Sequence, residues 1–212
     1  MPASPKIIEL RKVLAERFPY EPSLPSLSFP TGWALFDSLL DGGFPRGGIT
    51  QLITPNISSG GTLVLHEIIQ SLHKASRHAV LVDGKDCFDP PTHQPFLLWI
   101  RCTNALQALK ATDLILRDGN LPVAILDLKL NPEIELRKIP GTTWYRFQRI
   151  LEENKNSLFI MTRHPIAHNS TYNMIMTNQI KIDDLSSLSL HLIQLFAFKI
   201  SRRRAQQDYR YA

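Results

Sequence analysis

Cysteine is nearly missing from this chain: Cys87 and Cys102 are the only two in 212 residues. They are too few and too unpatterned for a disulfide frame or a zinc site. No apolar run approaches the roughly 20 residues that a membrane span needs. The opening Met1-Pro2-Ala3-Ser4-Pro5-Lys6 lacks the apolar centre of a signal peptide. No membrane contact and a cytoplasmic location are therefore expected. Internal repeats and low-complexity tracts are absent. The histidines make no metal site, because His66-Glu67-Ile68-Ile69-Gln70 lacks the second histidine of H-E-x-x-H, and Pro165 interrupts any helix that would align His164 with His168. No Ser/His/Asp set or pair of carboxylates stands out, so no catalytic residue, no metal and no cofactor is assigned.

At 43% hydrophobic, the chain can bury one sizeable core and little else. Residues 1–18 read as a short helix, with Ile7, Leu10, Val13 or Leu14, and Phe18 on one face. Such a face docks either on the chain's own core or on a partner. Residues 19–28 form a linker rich in proline and serine, residues 29–200 the core, and residues 201–212 a basic tail. Within the core, strand and helix patterns alternate, with helices expected near 63–75, 104–118 and 143–154. That order predicts an α/β fold with a mostly parallel sheet, right-handed crossovers and helices on both faces. Near the C-terminus, 179–183 and 188–195 with 197–200 read as antiparallel strands added to one edge.

The most informative segment is Thr54-Pro55-Asn56-Ile57-Ser58-Ser59-Gly60-Gly61-Thr62. It lies between the strand pattern Gly48 to Ile53 and the helical pattern Leu63 to Leu72, where a phosphate-binding loop belongs. Such a loop wraps backbone N–H groups around phosphates, sends a lysine to them and uses a Ser/Thr hydroxyl on Mg²⁺. Here Thr62 supplies the hydroxyl, Gly61 stands at the lysine position, and Pro55 replaces the first glycine and removes a donor. Ser58, Ser59, Gly60, Gly61 and Thr62 are thus a vestigial loop, whose remaining N–H groups can still hold an anion at the helix N-terminus.

Upstream, Phe29-Pro30-Thr31-Gly32 through Leu35-Phe36-Asp37 to Gly42-Gly43-Phe44-Pro45-Arg46-Gly47-Gly48 resembles the segment that leads into the phosphate loop of the RecA-like family. The order continues. Ala79-Val80-Leu81-Val82-Asp83-Gly84-Lys85 is similar to the family strand whose following glutamate activates water, with Lys85 in the glutamate's place. Pro122-Val123-Ala124-Ile125-Leu126-Asp127 is similar to its Walker B strand, with Asp127 at the carboxylate position. Ser157 to Thr162 is similar to the strand before its phosphate-sensing glutamine, replaced here by Arg163. Three polar groups used for hydrolysis are altered together, which implies a RecA-like core that no longer hydrolyses ATP. Lys85 and Arg163 are either substitutes for the missing positive charge or side chains solvated or paired with Asp83 or Asp86.

The leading helix, the linker, the eroded ATP site and short DNA loops resemble the ImuA-type (SulA-like) branch. That resemblance implies an accessory of the SOS response and translesion mutagenesis, acting with a Y-family polymerase homologue and/or an error-prone replicative polymerase. It also implies RecA-like self-association. Two basic groups are candidate contacts for single-stranded DNA or a partner. One is Arg137, Lys138, Arg146 and Arg149, to which Arg163 is added. The other is Arg202, Arg203 and Arg204, in a stretch from Lys199 that carries most of the chain's net charge of +5. Two alternatives stay open: a weak or atypical DNA-dependent NTPase, and a cell-division inhibitor, which only the SulA-like label suggests.

Overall fold

Asp37 fixes the entrance to the core. Its carboxylate accepts hydrogen bonds from the Thr31 N–H and the Thr31 hydroxyl, both at 2.7 Å, and from the Gly32 N–H at 3.1 Å. A carboxylate at this spacing from a Thr-Gly pair satisfies donors that the turn leaves open. The computed structural model of the chain describes residues 28–56, 59–89, 96–178 and 196–202. The expected N-terminal helix face (Ile7, Leu10, Leu14, Phe18), Ser58, Arg203 and Arg204 lie outside the described residues, as do the expected strands 179–183 and 188–195.

β1 (Ser28–Phe29) pairs antiparallel with β2 (Phe44–Pro45), and α1 (Ala34–Leu39) lies between them in the chain. Gly43 makes this pairing feasible. Its φ is +122°, and a β-carbon there would stand 2.2 Å from the Phe29 carbonyl oxygen, so only glycine fits. Phe36, Phe44 and Phe159 then pack edge-on or tilted with ring centres 5.1 to 5.9 Å apart, locking α1 to the sheet.

The main sheet runs in the order β5-β4-β6-β7-β3-β8-β9 among the described residues. Its strands are β3 (Gly48–Ile53), β4 (Ala79–Asp83), β5 (Leu97–Arg101), β6 (Val123–Asp127), β7 (Ser157–Thr162), β8 (Tyr172–Asn178) and β9 (Phe196–Arg202). Every neighbouring pair is parallel except β8 with β9. β3, β4 and β7 are buried along their whole length, and β6 is buried up to Asp127. Such continuous burial is what a parallel sheet covered on both faces requires.

The helices are α2 (Gly61–Lys74), α3 (Ala105–Asp118), the single turn α4 (Glu133–Leu136) and α5 (Gly141–Asn154). α2 buries Val64, Leu65, Ile68, Ile69 and Leu72, one face at helical spacing, against Leu52, Leu81, Ile125 and Phe159. Each such side chain contributes roughly 1.5–3 kcal/mol. On the opposite face, α3 and α5 cover Val80, Val82, Leu126 and Ile160. α3 begins where the Asn104 side chain accepts the Gln107 N–H and ends at Gly119, whose φ is +74°.

The expected helices are present, α2 and α5 each starting two residues early. Two strands differ from expectation. β5 follows β4 where strict alternation places a helix, and its half-exposed Leu97-Leu98-Trp99-Ile100-Arg101 lacks the buried run by which the other parallel strands are recognised. β8 lies just before the expected 179–183 strand. Its Met174 and Met176 are buried, while Ile175 and Thr177 face solvent. The antiparallel edge addition itself is present as β9, paired from Tyr172↔Arg202 to Asn178↔Phe196.

Replacing Asp37 by Ala is expected to cost about 2 kcal/mol, since it strands donors that a charged acceptor now satisfies. Ser38→Ala next to it, exposed and bonded only to the Leu35 carbonyl, is expected to stay within about 0.5 kcal/mol of the parent. Urea unfolding of the two variants measures the difference.

Candidate functional site at the strand ends

The parallel register brings the carboxyl ends of four strands level. Asp83 lies opposite Asp127, Asp127 opposite Met161, and Ile53 opposite Thr162. A pocket of about 90 Å³ opens there, lined by Thr54, Gly61, Thr62, Asp83, Lys85, Asp127, Lys129 and Arg163 among others. This is the crevice beyond the strand ends where open parallel sheets place their sites, and it has room for several water molecules.

The loop enters from β3. The Ser59 hydroxyl turns back onto the Asn56 carbonyl at 2.6 Å. Gly60 is left-handed at φ +87°, and a β-carbon on it would meet the Phe196 ring at 2.5 Å. The ring of the edge strand β9 therefore lies against the loop. Gly61 opens α2, and Thr62 is exposed at the pocket.

The cation that the loop lacks arrives from another strand. Lys129 follows Asp127 by two residues, and its ammonium lies 3.3 Å from Asp127 Oδ2 and 3.4 Å from the Thr62 hydroxyl. Its backbone N–H also donates to Asp127 Oδ1 at 3.0 Å. Both side chains are largely withdrawn from solvent, 12% exposed for Lys129 and 15% for Asp127. Burial pushes the Asp127 carboxyl above the usual carboxylate range, and Lys129 offsets part of that rise. Lys129 was missed in the sequence because it matches no position of the loop motif. The available signal was a lysine two residues beyond a buried strand's terminal acid.

Asp83 is 3% exposed and holds the turn after β4, accepting N–H bonds from Lys85, Cys87 and Phe88. Among the described residues the Lys85 ammonium pairs with no carboxylate and donates instead to the Thr103 carbonyl at 3.3 Å. Asp86 is taken by Arg101, which holds its carboxyl below the usual range. Arg163 is half-buried on the pocket wall, and its Nε has no hydrogen-bond partner among the described residues.

Of the other basic candidates, those whose side chains are described are not gathered at this pocket. Arg146 pairs with Asp113 on α3 at 2.9 Å, and Arg149 with Glu153 at 3.1 Å. Arg137 pairs with Glu133, holding that carboxyl below its ordinary value. Lys138 is exposed just after α4, and Arg202 is the last residue of β9.

Mg²⁺, which the family resemblance implies, does not fit these residues. The Thr62 hydroxyl and the Asp127 carboxylate that would attend it already share the Lys129 ammonium. Bringing like charges within 4 Å costs roughly 4 kcal/mol per unit of added charge at an effective dielectric of about 20.

Curated proteins similar to this chain are RecA proteins. RecA of Chlorobaculum parvum is 33% identical over 103 residues, covering 45% of this chain and 29% of that protein. RecA of Solidesulfovibrio magneticus is 30% identical over 164 residues, covering 73% of this chain and 45% of that protein. The chloroplastic DNA repair protein recA homolog 1 of Arabidopsis thaliana is 29% identical over 117 residues, 51% of this chain and 26% of that protein. The chain thus spans less than half the length of these relatives. No profile of a known protein family matches it.

Lys129→Met should destabilise the chain by about 2 kcal/mol at neutral pH, because it leaves a largely buried carboxylate without its counter-ion. The pH dependence follows from the raised position of Asp127. A carboxyl held above its unfolded value stabilises fully below about pH 4, and that contribution is lost as pH rises through the folded value. Without the ammonium the folded value rises further, so the deficit of Lys129→Met is expected to be small near pH 4 and to grow toward pH 8. Asp127→Asn in the same variant should flatten the trend. Denaturant melts across that range measure it.

Proposed function

Because the chain belongs to the RecA-like superfamily, we propose that it is a non-hydrolysing accessory protein in DNA repair, of the kind that serves damage-induced translesion mutagenesis. One observation carries this reading. The ammonium of Lys129 lies between Asp127 and Thr62, where hydrolysis by this family's chemistry needs a metal-bound phosphate. Phosphoryl transfer rests mainly on positioning and electrostatic stabilisation. Here the loop offers Gly61 in place of a lysine, and the position of the water-activating glutamate holds Lys85, whose ammonium bonds a backbone carbonyl. A side chain that donates to that carbonyl is not placed to take a proton from an attacking water.

The action is then through surfaces. A Y-family polymerase homologue and/or an error-prone replicative polymerase is the partner that the ImuA-type resemblance suggests, with the apolar face of residues 1–18 and the basic tail as contacts. Single-stranded DNA and a second RecA-like subunit are further partners of this reading. Ion pairing of Arg137, Arg146 and Arg149 favours the tail over these residues for any phosphate contact.

A second reading, a weak DNA-dependent NTPase, draws on the same lysine, since Lys129 restores a cation beside Thr62 and Arg163 adds a guanidinium N–H that has no partner among the described residues. ATP turnover by the purified chain, with Mg²⁺ and with and without single-stranded DNA, separates the two. The expected rate equals the protein-free blank. DNA-stimulated turnover that disappears in Lys129→Met would establish the NTPase instead.

A further inference from the structure

Building on the non-hydrolysing reading, we propose that Lys129 is a tethered cation that has taken the place of a divalent metal, so that this pocket refuses Mg²⁺ and Mn²⁺. The argument begins with what the two oxygens are doing. Asp127 Oδ2 and the Thr62 hydroxyl come from different elements, β6 and the start of α2, and face a common point at the sheet's carboxyl end. A single ammonium lies within 3.4 Å of both. The lysine is held there along its length. Its N–H is bonded to Asp127 Oδ1, and its Cδ would be 3.3 Å from a β-carbon placed at Gly61.

Gly61 and Lys129 therefore explain one another. The room above Gly61 is used by the Lys129 stem, and on its other side a β-carbon would stand 3.0 Å from Thr54 Cγ2. A side chain at position 61 competes with the lysine that now reaches the site. The cation stands on the turn after β6 instead of on the loop. A loop lysine leaves the carboxylate and hydroxyl to the metal, whereas Lys129 engages both. Any anion that enters meets a charge already fixed by the protein, and its binding is independent of divalent ions.

Mn²⁺ titration, followed by the EPR signal of the free ion, tests this on the full chain and on Lys129→Gln, which keeps length and polarity without charge. Parent and Lys129→Arg are expected to show no saturable site that depends on Asp127. Lys129→Gln is expected to gain one saturable site, roughly tenfold or more tighter than any nonspecific Mn²⁺ binding by the parent, and to lose it again when Asp127→Asn is added. A parent site abolished by Asp127→Asn would overturn the proposal, as would a folded Lys129→Gln that binds no better than the parent. Should Lys129→Gln fail to fold, the parent and its Asp127→Asn variant still decide: equal titrations uphold the proposal and unequal ones sink it. The outcome is separable from that of the functional reading, because ATP turnover by the parent overturns the latter and is not read by Mn²⁺ binding.

Discussion

The parallel ladder from β4 through β6 and β7 to β3 sets the level at which everything at the sheet's carboxyl end meets. Because Asp83 and Asp127 end their strands level with Met161, and Ile53 and Thr162 end theirs one residue further on, residues one or two positions beyond converge without any loop having to travel. Lys85, Lys129 and Arg163 are such residues, and all three line the pocket. The ladder is held by burial on both faces, α2 with α1 on one and α3 with α5 on the other. A slip of one residue would turn every side chain of a strand to the other face, so the geometry of the site is as firm as the core.

Charge in the pocket follows from that constraint. Asp127 sits where burial opposes ionisation, and it needs a nearby cation to remain charged. Three candidates surround it, and their bonding separates them. Lys85 is committed to the Thr103 carbonyl, and Arg163 Nε has no acceptor among the described residues. Only Lys129 both pairs with the carboxylate and reaches Thr62 across the gap between β6 and α2. An internal ion pair of this kind adds little net stability when exchanged for apolar groups, yet is costly to break on one side. Under the proposal that it excludes divalent metals, its value lies in specifying what else can enter.

Much of this was legible in the sequence, for physical reasons that differ by element. Asp127 ends a buried apolar run, and α2 shows its apolar face at 3.6-residue spacing, so both declare themselves locally. The phrase from Thr31 to Gly48 is readable because its glycines and Asp37 answer to backbone geometry, as Gly43 and the three bonds to Asp37 demonstrate. β5 and β8 were not legible, since edge and near-edge strands carry mixed exposure that resembles coil. The pairing of Arg137 with Glu133 and of Arg149 with Glu153 follows helix spacing of four, which a reading by clustered charge overlooks. Lys129 was hidden for a deeper reason: a motif compares residues at matching positions, whereas a side chain with four methylenes can fill a vacant charge from a different strand.

The edge addition β8–β9 belongs to the same argument. Phe196 opens β9 and is 8% exposed, packed into the core cluster that includes α2. The Phe196 ring lies so near Gly60 that no side chain fits there. The loop is therefore held on one side by its own turn, through Ser59 and Asn56, and on another by an aromatic ring from the far end of the chain. Rotation of Ser59 toward a ligand would break its 2.6 Å bond, and movement of Gly60 would disturb the ring. With Lys129 standing over Gly61 as well, the three successive residues Ser59, Gly60 and Gly61 are each restrained by a neighbour. Restraint of this kind at Ser59, Gly60 and Gly61 agrees with the proposed non-hydrolysing role, in which the pocket has no changing phosphate to follow.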